Sequence, residues 1–150
     1  MQRREFLMIA AFLPGRALLP KPAQAQAAEL AFTHVATRKE LGAAVTRARG
    51  QKKPILVYFT AEWCPICKSI DRRVFSNSVI KARLGNIAVV RADVTAVDTG
   101  NRHLMESLGV PGPPTMLFLS PKNGREISNT RLTGVVDANL FLDTLNFAGF

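Results

Sequence analysis

The 150-residue sequence predicts one α/β domain, a central mixed sheet flanked by helices. Three observations lead there. Strand-like and helix-like stretches alternate after the first thirty residues, which implies parallel strands joined by crossover helices. Ile55 to Thr60 is an uncharged run of β-branched and aromatic residues, as in a strand buried on both faces. Near the end, Pro121-Lys122-Asn123-Gly124 has the composition of a turn, so the last strands form a hairpin that adds an antiparallel edge.

Each element has its own justification. A first strand lies near His34. Leu41, Ala44, Val45 and Ala48 have helical spacing, with Thr37 as N-cap and Gly50 as the stop. The buried strand Ile55–Thr60 follows, then a helix from about Cys64 through Arg73. Ser76 or Ser78 is placed to cap a short helix ending at Gly85. Ile87–Val94 reads as a strand, and Asn101–Leu108 as a helix stopped by Gly109. Thr115–Ser120 and Arg125–Thr133 are the two arms of the hairpin. Asp137 caps a last helix, with Leu140, Phe141, Leu145 and Phe147 available for burial.

Composition bounds the function. Hydrophobic residues make up 47% and charged residues 21%, as in ordinary globular proteins. A core of this size needs no disulfide staple, so the two cysteines are free for chemistry. The formal net charge is +9, of which Arg3, Arg4, Arg16 and Lys21 against Glu5 supply +3. The remaining positive residues are scattered, with one Tyr and one Trp, which excludes a nucleic-acid binder and leaves a modest attraction to acidic surfaces.

The N-terminus reads as an export signal. Arg3-Arg4 precedes an apolar run from Phe6 to Leu19, then Pro20-Lys21-Pro22 and Ala23-Gln24-Ala25-Gln26-Ala27. The small residues fit cleavage after Ala25 or after Ala27. The apolar run is shorter than a membrane span and is interrupted by Pro14, Gly15 and Arg16. Arg3-Arg4-Glu5-Phe6-Leu7 also resembles the bacterial twin-arginine signal, so both the Sec and twin-arginine routes stay open. Either delivers the chain to the periplasm, where disulfides form and persist.

The chemistry lies in Ala61-Glu62-Trp63-Cys64-Pro65-Ile66-Cys67-Lys68. The segment follows a buried strand and opens a helix. The partial positive charge of a helix N-terminus stabilises a thiolate on Cys64, which makes it the attacking sulfur. Pro65 suits a first helical turn because its missing N–H has no intrahelical partner there. The three-residue step brings Cys67 beside Cys64, one turn deeper, as the resolving thiol. Cys64 is expected to be exposed enough to attack. Trp63 flanks the pair and shapes the contact surface.

Tyr58 through Lys68 resembles the active-site strand and helix of thioredoxins. Residues 53–145 further resemble the carboxy-terminal periplasmic domain of the DsbD family. The features shared with that family are Lys53-Pro54, Val74-Phe75-Ser76, Ala92-Asp93-Val94-Thr95-Ala96 and Leu132-Thr133-Gly134. The resemblance implies a thioredoxin fold over residues 29–150, following a signal peptide at 1–25. It implies a periplasmic protein-disulfide reductase with no cofactor beyond the redox-active Cys64–Cys67 disulfide. The expected partners are periplasmic thiol proteins and a membrane electron donor of DsbD or CcdA type, with the chain acting as a monomer. In this family a cis proline faces the cysteine pair and precedes a strand. Gly112-Pro113-Pro114-Thr115 maps it to Pro114.

Two positions depart from the family. Pro113, preceding Pro114, has no N–H to offer a client chain. The buried acid that thioredoxins carry six residues before the first cysteine is replaced by Tyr58. Asp71, four residues after Cys67 on the same helical face, and Glu62 are the candidates for proton transfer in its place. His34 and His103 read as surface residues.

Rival chemistries fit less well. A zinc site needs about four ligands, and one Cys-x-x-Cys supplies two, so no metal centre is expected. Attached c-type haem needs His after the second cysteine, where Lys68 stands. A Cu(I)-handling thiol chaperone would suit the thiolate pair but has no Met or His cluster to support it. Within exchange chemistry, Pro65 and Ile66 bring no charge to the thiolate, which favours a reductase over an oxidase or isomerase.

Overall fold

The computed structural model describes residues 30–150. The expected signal at 1–25 and both cleavage sites lie outside the described residues.

The elements are β1 (Thr33–Val35), α1 (Arg38–Gly50), β2 (Ile55–Thr60), α2 (Pro65–Arg73), α3 (Ser78–Leu84), β3 (Ala88–Asp93), α4 (Thr99–Ser107), β4 (Thr115–Leu119), β5 (Leu132–Thr133) and α5 (Ala138–Ala148). They form one mixed sheet of five strands in the order β1-β3-β2-β4-β5. β1 and β2 both run parallel to β3, with Val57 opposite Val90, while β4 is antiparallel to β2, with Val57 opposite Leu117. This is the mixed sheet expected from the alternation and the late turn. All six residues of β2 are buried, as its uncharged sequence requires.

The N-terminal ends of the helices are fixed by side-chain caps. The Thr37 hydroxyl accepts from the N–H of Glu40 while the Glu40 carboxylate accepts from the N–H of Thr37, a reciprocal capping box. Asp137 accepts from the N–H of Leu140 at 2.9 Å and starts α5 as expected. On one face of the sheet Tyr58 and Phe118 meet Phe75 and Phe141, with ring centroids 5.1 to 6.0 Å apart, and this aromatic cluster docks α5.

Four expectations are corrected. The cap of α3 is neither Ser76 nor Ser78. Asn77 accepts from the N–H groups of Val79 and Ile80, while the Ser76 hydroxyl turns back to donate to the Arg72 carbonyl. α4 begins two residues before Asn101, because Asp98 caps it through the Asn101 N–H. The returning strand is not Arg125–Thr133. Glu126 makes an isolated bridge to Leu119, and the chain then leaves the sheet through Asn129, at φ 63°, until Leu132. On α5, Phe141, Thr144 and Leu145 form the buried face, whereas Leu140 and Phe147 fall on the far side and stay 44% and 67% exposed.

The strand directions decide where the loops gather. The C-terminal ends of β2, β3 and β5 and the start of β4 all lie at one end of the sheet. The loops that follow β2, β3 and β5 and the loop that enters β4 therefore converge there, and α2 starts in their midst.

Candidate active site

Cys64 and Cys67 are joined by a disulfide at that end of the sheet, with Cα atoms 5.3 Å apart. Cys64 is the N-cap of α2, in extended conformation, and its Sγ accepts the N–H of Cys67 at 3.1 Å. Pro65 occupies the first turn, where an N–H has no intrahelical partner. A helix start and a direct N–H thus converge on the Cys64 sulfur, the arrangement that favours a thiolate there.

Exposure separates the two sulfurs less than expected. Cys64 retains 4% and Cys67 1% of full exposure, so Cys64 is nearly covered in the disulfide form. The asymmetry between them is electrostatic. Cys64 sits at the open end of α2, and Cys67 lies a turn inside it.

The surroundings of the pair are apolar on the outside. Trp63 is 55% and Ile66 38% exposed, and the Trp63 Nε1–H donates to the Thr95 carbonyl at 3.1 Å. The Glu62 N–H donates to the Thr95 hydroxyl, so the loops after β2 and β3 are tied together in front of α2. Val97 in the same loop and Val135 after β5 are also exposed. Pro114 is buried at the start of β4 and Pro113 half-buried before it; the peptide bond between them is cis. The Pro114 carbonyl accepts the Gly134 N–H at 3.1 Å, which brings the Val135 loop to this side.

Behind the disulfide lies a recess of about 250 Å³ lined by His34, Thr60, Glu62, Cys67, Asp71 and Arg91 among others. Both sequence candidates for proton transfer, Asp71 and Glu62, therefore border the space onto which Cys67 opens. They are held differently. Glu62 is exposed. Asp71 is clamped by Arg91 of β3 through paired contacts of 2.7 and 3.2 Å. Tyr58, which stands where thioredoxins carry a buried acid, is fully buried, and its hydroxyl donates to the Cys67 carbonyl at 3.3 Å. Burial pushes its phenol up to about 12, so it stays neutral through the physiological range.

Arg91 is the site residue that sequence reasoning missed. A charged residue inside an otherwise apolar strand, Val89-Val90-Arg91-Ala92, was the available signal. His34 and His103 are both exposed, with His34 at the rim of the recess. Among the described residues, no three His, Cys, Asp or Glu side chains are grouped as metal ligands would be.

This arrangement is competent for thiol–disulfide exchange, and comparison with known proteins defines its class. The profile of the family described as Thioredoxin-like matches residues 36–121, and the chain belongs to that family. It is 39% identical over 112 residues to the thiol:disulfide interchange protein DsbD of Pseudomonas fluorescens, covering 75% of this chain and 19% of that protein. The DsbD of Cronobacter sakazakii is 36% identical over 125 residues, covering 83% of this chain and 21% of that protein. The chain thus spans about a fifth of the length of these curated relatives. Among solved structures, the oxidised DsbD C-terminal domain of Neisseria meningitidis superposes with a TM-score of 0.65 at 22% identity, covering 77% of this chain and 99% of that one. A thioredoxin from Thermus thermophilus gives 0.65 at 27% identity, covering 81% and 88%.

Proposed function

We propose that the chain is a periplasmic thiol–disulfide oxidoreductase working as a reductase of oxidised thiol proteins. The observation that carries this reading is the Cys64–Cys67 disulfide at the N-cap of α2, with the Cys64 sulfur on the Cys67 N–H. The likeness to DsbD supports the direction, as does a Pro65-Ile66 spacer that brings no charged side chain to the thiolate.

In the reduced form Cys64 attacks one sulfur of a client disulfide, and the other client sulfur leaves as a thiolate. Cys67 then loses its proton to Asp71 or Glu62 and attacks the Cys64 sulfur. The bond between Cys64 and the client breaks, and the Cys64–Cys67 disulfide forms. The client gains two electrons and the cysteine pair loses two. A membrane donor of DsbD or CcdA type returns the pair to the thiol form. No further cofactor enters the cycle, and the chain acts as a monomer after removal of residues 1–25 or 1–27.

The exposed apolar side chains Trp63, Ile66, Val97 and Val135 surround the pair and supply the docking surface for a client. Pro113 lies beside them without an N–H, so docking rests on these side chains more than on strand pairing.

Substitution of the two cysteines tests the reading. Cys64→Ser abolishes disulfide reduction, and Cys67→Ala accumulates mixed disulfides whose partners, trapped in the periplasm, are the clients. Reduction that survives Cys64→Ser overturns the assignment. Cu(I) bound stoichiometrically to reduced protein that lacks exchange activity would favour the chaperone reading. N-terminal sequencing of exported protein tests the signal, and an intact Met1 in the membrane fraction would refute it.

A further inference from the structure

The recess behind the disulfide holds a charged group that exchange through two cysteines does not itself require. Arg91 projects from β3 between two aromatic rings, 4.3 Å from the centroid of Phe32 and 5.4 Å from that of Tyr58. Its fork grips both carboxylate oxygens of Asp71 on α2. Its Nε is buried and has no protein partner. A cation half-sunk in an apolar strand loses hydration, and the ion pair recovers only part of it, so burial alone does not explain its presence. The clamp does have a directional consequence: a lone Asp at this point of α2 would swing into solvent, whereas a bidentate guanidinium fixes it in plane.

We propose that Arg91 is a positioning residue that holds Asp71 at the recess as the base for Cys67. This rests on the reductase reading above. During resolution Asp71 takes the Cys67 proton, directly or through a water in the recess. The Cys67 thiolate attacks the Cys64 sulfur, and the client sulfur departs as a thiolate with the electron pair. Asp71 then releases its proton to solvent through the open side of the recess. The other titratable or charged groups lining this space are His34 of β1, Glu62 of the loop after β2, Lys68 of α2 and Asp93 of β3, while Tyr58 of β2 packs its ring against Arg91 from the core. Tyr58 keeps its own proton and so cannot accept one, since burial holds its phenol at about 12. Glu62 is exposed and has no clamp, and Asp93 is engaged by the N–H and hydroxyl of Thr95, which leaves Asp71 as the clamped carboxylate carried on the same helix as Cys67.

The test separates the two chemical steps. Reduced protein is mixed with a disulfide-containing peptide, quenched in acid at intervals, and read by mass as reduced, mixed-disulfide and oxidised forms. Asp71→Asn is expected to slow decay of the mixed disulfide by about tenfold or more at neutral pH while leaving its formation by Cys64 unchanged. The defect shrinks as pH rises toward about 9, because hydroxide then deprotonates Cys67 unaided. Arg91→Gln gives the same selective, pH-dependent defect, and Arg91→Lys, which keeps the charge without the fork, recovers part of it. The double variant is no slower than either single one, because both act through one carboxylate. Formation and decay slowed equally at every pH would mean Arg91 only supports the fold, and would overturn the proposal. Decay unchanged in Asp71→Asn would overturn it as well, while the reductase reading would stand on the loss of mixed disulfide in Cys64→Ser.

Discussion

The hydroxyl of Tyr58 donates to the carbonyl oxygen of Cys67, 3.3 Å away, from within the core behind the disulfide. A neutral hydrogen bond thus occupies the place where related proteins put an ionisable acid. It ties the central strand to the first turn of α2.

Tyr58 makes the protein sensitive to alkali. Its pKa rises from an ordinary 10.0 to about 12 in the folded state because of burial. Below pH 10 both states keep the phenolic proton and the contribution to stability is complete. Between 10 and 12 the unfolded chain releases its proton first, so stability falls as pH rises, by roughly 3 kcal/mol across the window. Urea unfolding of the oxidised protein is expected to show this fall, and Tyr58→Phe to lack it. At neutral pH the same substitution costs about 1 kcal/mol for the lost hydrogen bond. The sequence has one tyrosine, so the difference between the two proteins isolates this group.

The reduction potential decides between reductase and oxidase. The α2 N-terminus and the Cys67 N–H stabilise a Cys64 thiolate, and with it the reduced form. Nothing in Pro65-Ile66 adds to that. The potential is expected nearer to about −270 mV, the value of thioredoxin, than to about −120 mV, that of the strong oxidant DsbA. The two ends differ by about 7 kcal/mol for a two-electron couple, so equilibration with glutathione or dithiothreitol buffers separates them readily. A value above about −150 mV would assign the protein to oxidation or isomerisation.

Phe141 is the keystone of the aromatic cluster, in edge contact with Phe75 and packed against Phe118. It is fully buried. Phe141→Ala is expected to cost about 3–5 kcal/mol in urea unfolding, whereas Phe147→Ala, on the exposed face of the same helix, stays within about 0.5 kcal/mol.

Arg131 anchors the loop that replaces the expected hairpin arm. It donates to the carbonyls of Leu108 and Gly109 and pairs with Glu126 at 2.6 Å. Arg131→Ala is expected to lower stability by about 1–2 kcal/mol, since the partly solvated carbonyls recover some hydrogen bonding to water. Arg131→Lys recovers little, because one ammonium does not span three acceptors. Thermal or urea unfolding checks both.

The order of elements was legible because it depends on local signals. Thr37, Asp137 and Gly109 mark their boundaries by chemistry that needs no tertiary context, and the uncharged Ile55–Thr60 run declares its own burial. The cysteine pair was legible for the same reason, since spacing and helix start lie in one short segment. Asn77 was missed because three neighbouring polar residues can all cap a helix, and only the turn of Ser76 back to Arg72 excludes that one. The course of residues 125–133 depends on Arg131 reaching carbonyls more than twenty positions away. Arg91 stood out in the sequence only as a charge in an apolar strand; its role was not legible because it lies in Asp71, Phe32 and Tyr58, which the fold brings to it from three other segments.

The outermost strands of the sheet, Thr33–Val35 and Leu132–Thr133, are three and two residues long. A sheet border offers unpaired N–H and C=O groups to any extended chain that meets it, and long borders seed aggregation. Here each border strand ends almost as soon as it pairs. The flanks of the sheet therefore offer little backbone to nucleate fibrils, and the end that carries the cysteines is set apart from them.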